Sequence, residues 1–235
     1  MTDVHAHVLP GIDDGSQNIS ESIEMLRASY RQGISRLVAT PHFYADRDSP
    51  QTFLERRAKA WMRLSPHLTS DMPGILLGAE VHFFEGVSRT KEILALRAEG
   101  TSMLLLEMPF TRWSSRMLSE VFRLNESPDI QVVIAHIERY LFCQPREILD
   151  TLIRRGVLIQ ANAEYFLRGM ESRRAFKLLD RGKIHLLGSD CHNMDTRPPR
   201  LGQAAQAIQQ RLGEERLCYL ETMGQALTEG GAWSG

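Results

Sequence analysis

Long hydrophobic runs are missing: no apolar stretch in the sequence approaches the roughly 20 residues that a membrane span needs. Cysteine is scarce. Cys143, Cys191 and Cys218 are the only three, they cannot all pair within one chain, and so few of them point to a reducing compartment rather than a disulfide framework. An excess of either charge is also missing, since 28 Lys+Arg against 29 Asp+Glu leave −1. That balance argues against a surface built mainly to grip nucleic acid or anionic lipid. The opening MTDVHAHVLP has neither a basic start nor an apolar stretch, so no secretory leader is expected there and the chain reads as cytoplasmic. No low-complexity tract or residue-level repeat divides the sequence, so one domain over residues 1–235 is expected.

What is present is a short apolar run followed by an amphipathic segment, over and over. Strands are expected at residues 2–5, 36–40, 75–81, 103–106, 130–135, 157–161 and 184–188. Helical spacing predicts helices near 20–32, 50–68, 89–98, 115–124, 146–155, 172–180 and 201–212. Buried strands alternating with helices make a parallel sheet covered by helices. About seven units of roughly 33 residues fit a βα barrel, since eight typically take about 250. An open doubly wound sheet is the competitor, weakened by the lack of GxGxxG after the first strand. The expected fold is therefore α/β, a distorted seven-stranded, TIM-like barrel.

In a barrel, functional groups gather where strands end, and here they do. After the first strand come Asp3, His5, His7, Asp13 and Asp14. The second runs into His42, the third holds Glu80, the fourth stops at Glu107, the fifth at His136, and the seventh delivers Asp190, Cys191 and His192. The sixth offers only Gln160, Asn162 and Glu164, a weaker set. Any one of these is an ordinary polar group at a sheet edge. Together they would be costly to bury without a compensating cation. A metal cluster removes that cost, because imidazole and carboxylate suit Mn, Fe and Zn.

The run from Asp3 to Gly15 resembles the opening motif of the polymerase and histidinol phosphatase (PHP) superfamily. More narrowly, it is similar to the bacterial capsule-type, metal-dependent protein-tyrosine phosphatases within it. The likeness continues through Thr40-Pro41-His42, Gly78-Ala79-Glu80, Leu106-Glu107, Ala135-His136 with Arg139, and Ser189-Asp190 through Arg197. The resemblance implies a three-metal site, usually manganese. The implied ligands are His5, His7, Asp14, His42, Glu80, Glu107, His136, Asp190 and His192, with Arg139 and Arg197 contacting phosphate. It also implies a partner: the tyrosine-rich tail of a bacterial kinase controlling capsular or exopolysaccharide synthesis. Cys191 departs from the family pattern, and His82 has no ligand role in it. His67 and His185 match nothing and read as structural or surface.

The implied set has five imidazoles and four carboxylates. Three divalent ions would leave it about two charges positive, and two arginines add to that. Such a pocket suits a dianionic phosphoryl group better than a neutral amide. The expected reaction is metal-assisted hydrolysis of a phosphate monoester without a covalent enzyme intermediate. Cys191 and Arg197 have the C-x5-R spacing of cysteine-dependent phosphatases, but no glycine lies between them to let a loop wrap phosphate. Alternatives within the same chemistry are a small ester such as histidinol phosphate, or a phosphodiester. Phe43, Tyr44, Phe83, Phe84 and Phe110 follow strands, where they either flank a substrate ring or pack. Arg56-Arg57 and Arg173-Arg174 read as solvated helix faces.

Overall fold

Strand and helix alternate as the apolar runs predict. The computed structural model describes residues 1–229. Its elements begin with β1 (Thr2–Ala6), α1 (Ile19–Arg31), β2 (Arg36–Ala39), β3 (His42–Phe43), α2 (Pro50–Leu64), β4 (Gly74–Leu77), β5 (Glu80–His82) and β6 (Met103–Glu107). They continue with α3 (Ser115–Asn125), β7 (Gln131–Ile134), α4 (Ile148–Arg154), β8 (Leu158–Asn162), α5 (Ala163–Leu167), α6 (Gly169–Asp180), β9 (Leu186–Gly188), α7 (Leu201–Leu212) and α8 (Glu214–Thr228). Caps set several helix starts: the side chains of Asn18, Ser49 and Ser114 accept from the backbone N–H groups of Glu21, Thr52 and Met117, each satisfying an N–H with no partner inside its helix. Among the described residues, no helix is long and apolar enough to cross a membrane.

Every strand pairing is parallel. One sheet runs β1-β2-β4 and the other β3-β5-β6-β7-β8-β9. A parallel bridge between Ala6 and Cys191 brings the first strand beside the end of the last, so the sheet curls into a TIM-like arrangement with helices outside. The described residues hold nine strand segments, not the seven expected. One of the extra two arises because strand structure resumes beyond residue 40, the expected end of the second strand, and the other because the third expected strand is interrupted. Pro41 parts β2 from β3, having no N–H to donate to the ladder, and pairing resumes at His42 beside Glu80. Gly78 interrupts the third, where a Cβ would stand 3.1 Å from Val38 Cγ1. Arg57 holds this bend, donating to the Gly78 carbonyl at 2.8 Å. It is buried, contrary to its reading as a solvated residue.

A bulge in β1 sets the site. From Asp3 to Ala6 is three steps, while the partners Leu37 to Ala39 span two. The extra residue bends the strand and re-aims its side chains. Val4 enters an inner apolar cluster with Val38, Leu105, Val133, Leu158 and Leu186, and the next residue, His5, still reaches Gln160 on β8. Alternation then stacks a polar layer on that apolar floor: Gln160 lies two residues beyond Leu158 and Glu107 two beyond Leu105. Gly188 leaves room for this layer, since a Cβ there would stand 2.5 Å from His5 Cβ and 2.8 Å from Gln160 Nε2.

One helix expectation is corrected, and two helices, α5 and α8, were not expected. Residues 89–98 form no α-helix but two 3-10 turns, Val87–Arg89 and Lys91–Leu96, parted by Thr90 in an extended conformation. α5 follows β8 directly. α8 has weak apolar periodicity because part of it faces the barrel floor: Met223 and Leu227 join the inner cluster, and Gly224 lets the helix sit against Thr2.

Candidate metal centre

All nine candidate donors come together above the apolar floor. His5, His7, Glu80 and His136 are fully buried, and Glu107, Asp190 and His192 nearly so. His42 is mostly covered, while the Asp14 side chain is 67% exposed and stands at the rim. Glu80 is the hub. Its Oε2 lies 3.2 Å from His5 Nε2, 3.2 Å from His7 Nε2 and 3.0 Å from His42 Nδ1, yet makes no hydrogen bond. Its Oε1 meets His136 Nε2 at 2.7 Å. Asp190 Oδ1 stands 3.5 Å from Nε2 of both His5 and His7. Asp14 Oδ1 lies 3.4 Å from Nε2 of both His42 and His192.

These separations fit cations. Donors about 2.1 Å from a divalent ion are about 3.0 Å apart at adjacent octahedral corners and about 3.4 Å apart at tetrahedral ones. Among the described residues, three overlapping groups offer donor atoms within 4.8 Å of one another: His7, Asp14, His42 and His192; His5, His7 and Asp190; and His42, Glu80 and Glu107. Buried polar atoms are nearly always hydrogen-bonded. Here His42 Nδ1, Glu80 Oε2, His136 Nδ1 and His192 Nε2 are buried without a partner. Four such atoms in one cluster form a donor set that divalent cations would satisfy.

The charged groups of the cluster shift one another's protonation strongly. Burial disfavours an imidazolium at His7, but the charge and hydrogen bond of Asp13, with Glu80 behind them, push it up to about 10. Burial likewise opposes charge on His136, and Glu107 and Glu80 push it up to about 9. The carboxylates respond in reverse. Burial would raise Glu80, but His5, His136 and His7 hold it well below its usual range. Glu107 falls to about 2 as His136 and His82 outweigh its burial. His42 and His192, where burial dominates, are depressed.

Backbone geometry is exceptional at two of these residues. Among the described residues other than glycine, only His136 (φ 30°) and Asp190 (φ 51°) have positive φ. Such positions cost of order 1–3 kcal/mol each and cluster at functional sites. Gln160 supports both strained regions: its Oε1 accepts from His136 N at 2.6 Å and lies 3.3 Å from His5 Nδ1, while its Nε2 donates to Asn162 Oδ1 at 2.9 Å. Asn162 Nδ2 in turn donates to Asp190 Oδ2 at 2.7 Å. β8 thus orients the candidate donors through Gln160 and Asn162, which the sequence offered only as a weaker set.

Asp13, Asp3 and His82, none of them an implied ligand, support the donors as well. Asp13 Oδ2 lies 2.7 Å from His7 Nδ1 and accepts from His42 N at 3.0 Å. Asp3 Oδ1 accepts from His5 N and Ser189 N at 3.2 and 2.9 Å. His82 Nδ1 meets Glu107 Oε2 at 2.9 Å, giving that residue a role in holding Glu107. His185 is buried and its Nδ1 accepts from Ile159 N at 3.0 Å, so it serves the sheet. His67 is exposed.

Both candidate phosphate arginines converge on Asp190. Arg197 Nη2 is 2.7 Å from Oδ1, and Arg139 Nη2 contacts Oδ2. A cavity of about 130 Å³ opens beside them, lined also by Asn162, Tyr165 and Ser189. A second of about 490 Å³, lined by Asp14, His42, Tyr44 and Arg47, opens on the other flank. Cys191 faces neither: its thiol is packed in the core, and burial pushes it far up. A reactive thiol needs the opposite environment. Of the five aromatic candidates, Phe43 and Phe83 are buried and Phe84 packs on Phe43. Tyr44 stacks on His42 at 5.3 Å and Phe110 on His136 at 6.4 Å.

Comparison with known proteins gives a consistent picture. A family model described as capsular polysaccharide synthesis, CpsB/CapC, matches residues 1–223. The tyrosine-protein phosphatase YwqE of Bacillus subtilis is 30% identical over 233 residues, covering 94% of this chain and 89% of that protein. The tyrosine-protein phosphatase CpsB of Streptococcus agalactiae is 28% identical over 232 residues, covering 92% and 93%. A crystal structure from work on YwqE of Bacillus subtilis and CpsB of Streptococcus pneumoniae, described as unique metal-dependent tyrosine phosphatases, superposes with a TM-score of 0.83 at 27% identity. That match covers 99% of this chain and 96% of the other. A histidinol phosphate phosphatase from Lactococcus lactis, at TM-score 0.57 and 14% identity over 89% and 92% of the two chains, shares the fold.

Proposed function

The chain belongs to the capsular polysaccharide synthesis CpsB/CapC family, and from that premise we propose that it is a metal-dependent protein-tyrosine phosphatase. One observation carries the reading: Glu80 Oε2 sits among three imidazole nitrogens at 3.0–3.2 Å with no hydrogen bond, beside two arginines that share Asp190. That is a place for cations next to a place for a phosphoryl dianion.

His5, His7, Asp14, His42, Glu80, Glu107, His136, Asp190 and His192 would hold the metal, about three divalent ions, most suitably Mn²⁺; eight of them fall in the three overlapping groups, and His136 joins them through Glu80. When bound, the ions supply Lewis acidity toward the phosphoryl oxygens and a nucleophilic water at neutral pH. The protein's own groups do the rest. Arg139 and Arg197 bind and orient the phosphoryl oxygens through paired N–H groups and stabilise the charge that develops on them. Gln160, Asn162 and Asp13 keep the imidazoles and Asp190 in fixed orientations. A phenolate leaves readily, tyrosine's pKa being about 10, so a dedicated proton donor is not required. Cys191 takes no part, and no thiophosphate forms.

The natural substrate on this reading is the phosphorylated tyrosine tail of a bacterial kinase that controls capsular or exopolysaccharide synthesis, met by this chain in the cytoplasm. Counting each interrupted pair, β2 with β3 and β4 with β5, as one strand gives the barrel seven strand positions. The test is parallel turnover of a phosphotyrosine peptide and histidinol phosphate, before EDTA, after it, and after Mn²⁺ readdition. Peptide turnover should vanish with EDTA and return with Mn²⁺. Preference for histidinol phosphate, or turnover indifferent to chelation, would overturn the reading.

A further inference from the structure

Phe110 is a large apolar ring left 49% exposed at the edge of a cluster made of imidazoles and carboxylates. It is also firmly held. Its ring stacks on His136 with an interplanar angle of 16° and on Tyr140 at 5.4 Å and 30°. Trp113 packs edge-on behind Tyr140 at 5.1 Å. The loop that carries Phe110 is tied down on both sides. Met108 N donates to the Tyr140 hydroxyl at 3.0 Å, Trp113 Nε1 to the Pro109 carbonyl at 3.0 Å, and Trp113 N to Gln144 Oε1 at 3.1 Å. Gln144 Nε2 returns a bond to the Thr111 carbonyl at 2.7 Å.

A rigid, flat, half-covered phenyl ring is a ready partner for another ring, at low entropic cost. Its placement matters as much as its rigidity. His136 and Tyr140, the two rings under Phe110, bracket the 3-10 turn Ile137–Arg139, and that turn ends in one of the two arginines on Asp190. One short segment therefore fixes an aromatic surface and a phosphoryl-binding cation relative to each other. On that placement, a phosphate ester with a ring next to its phosphoryl group would meet both surfaces, and an alkyl ester only the second.

We infer that Phe110 is a specificity-determining residue: its exposed face receives the tyrosyl ring of the substrate and so favours aryl over alkyl phosphate esters. This inference rests on the phosphatase reading above and adds the wall that selects the ester. The experiment compares wild type, Phe110→Ala, Phe110→Leu and Phe110→Trp, loaded with Mn²⁺. It reads kcat/KM for O-phosphotyrosine and O-phosphoserine and, apart from turnover, calorimetric affinity for phenylphosphonate and methylphosphonate.

Phe110→Ala should lower the aryl-to-alkyl ratio about tenfold in both measurements, the scale of losing one aromatic pair with some buried ring area. Phe110→Leu, which keeps apolar bulk without a flat face, should lie between and decides the matter if the alanine variant does not fold. Phe110→Trp should stay within about twofold of wild type. A ratio unchanged in Phe110→Ala and Phe110→Leu would overturn the role of Phe110 while leaving the phosphatase intact. Wild-type protein that hydrolyses neither ester, or phosphoserine in preference, would instead overturn the tyrosine-phosphatase reading itself.

Discussion

Removing Asp13 tests whether this centre is built to hold metal. Asp13 is not a candidate ligand, but its carboxylate lies 2.7 Å from His7 Nδ1 and accepts from His42 N and Gly15 N, each at 3.0 Å. Three effects follow from its position. It fixes the His7 ring with Nδ1–H donating, so that Nε2 faces Glu80 and Asp190. It pins the backbone that presents His42. It also places a negative charge behind His7, raising that ring's basicity as a ligand. Partners of this kind typically account for 10- to 100-fold in metal affinity, or about 1.4–2.7 kcal/mol. Asp13→Ala should therefore weaken Mn²⁺ binding to EDTA-stripped protein by that factor in calorimetric titration. Turnover of p-nitrophenyl phosphate should recover substantially at saturating Mn²⁺, since no proposed ligand is lost. Asp13→Asn, which can still accept from His7 but carries no charge, should fall between. A folded Asp13→Ala protein that binds Mn²⁺ as tightly as wild type would refute the reasoning.

Cys191→Ser should retain most phosphatase activity, because the thiol is packed in the core and aims at no candidate donor; loss of activity in a protein that melts normally would revive the cysteine mechanism. His185 predicts an acid-sensitive term in stability. Burial, with help from the Lys183 charge, pulls its pKa down from 6.5 to about 4, so the unfolded chain takes up a proton at a pH where the folded one does not. Its contribution is complete above pH 6.5 and is lost as pH falls toward 4, reaching about 2 kcal/mol at pH 5. Urea denaturation of wild type and His185→Asn at pH 7.5 and pH 5 should show a steeper loss in wild type. Equal losses would mean that His185 does not titrate differently on folding.

The parts of the site legible in the sequence were those with chemistry of their own. Imidazoles and carboxylates after short apolar runs stand out because each run has to end where the chain leaves the buried sheet. Asp13, Gln160 and Asn162 are different: each acts by hydrogen-bonding a residue that folding brings near, such as His42, His136 or Asp190, and nothing in the residue type announces that. The bulge in β1 is invisible for a similar reason, since it exists only relative to the register of β2. Pro41 and Gly78 were on view as strand breakers, yet their consequence, two bent strands that present His42 and Glu80, needs the neighbouring strands to be seen. α8 escaped because a helix that closes a barrel floor does not carry a clean apolar stripe. Arg57 was misread because an arginine on a helix is ordinarily solvated, whereas this one is drawn inward by the Gly78 carbonyl.

The most direct measurement is anomalous scattering from a crystal of this protein soaked in Mn²⁺. The account predicts manganese peaks about 2.0–2.3 Å from the donor atoms, with one beside Glu80 Oε2 and the Nε2 atoms of His5 and His7, and the four partnerless atoms satisfied. Well-diffracting soaked crystals with no manganese there, and water on those same atoms, would contradict it.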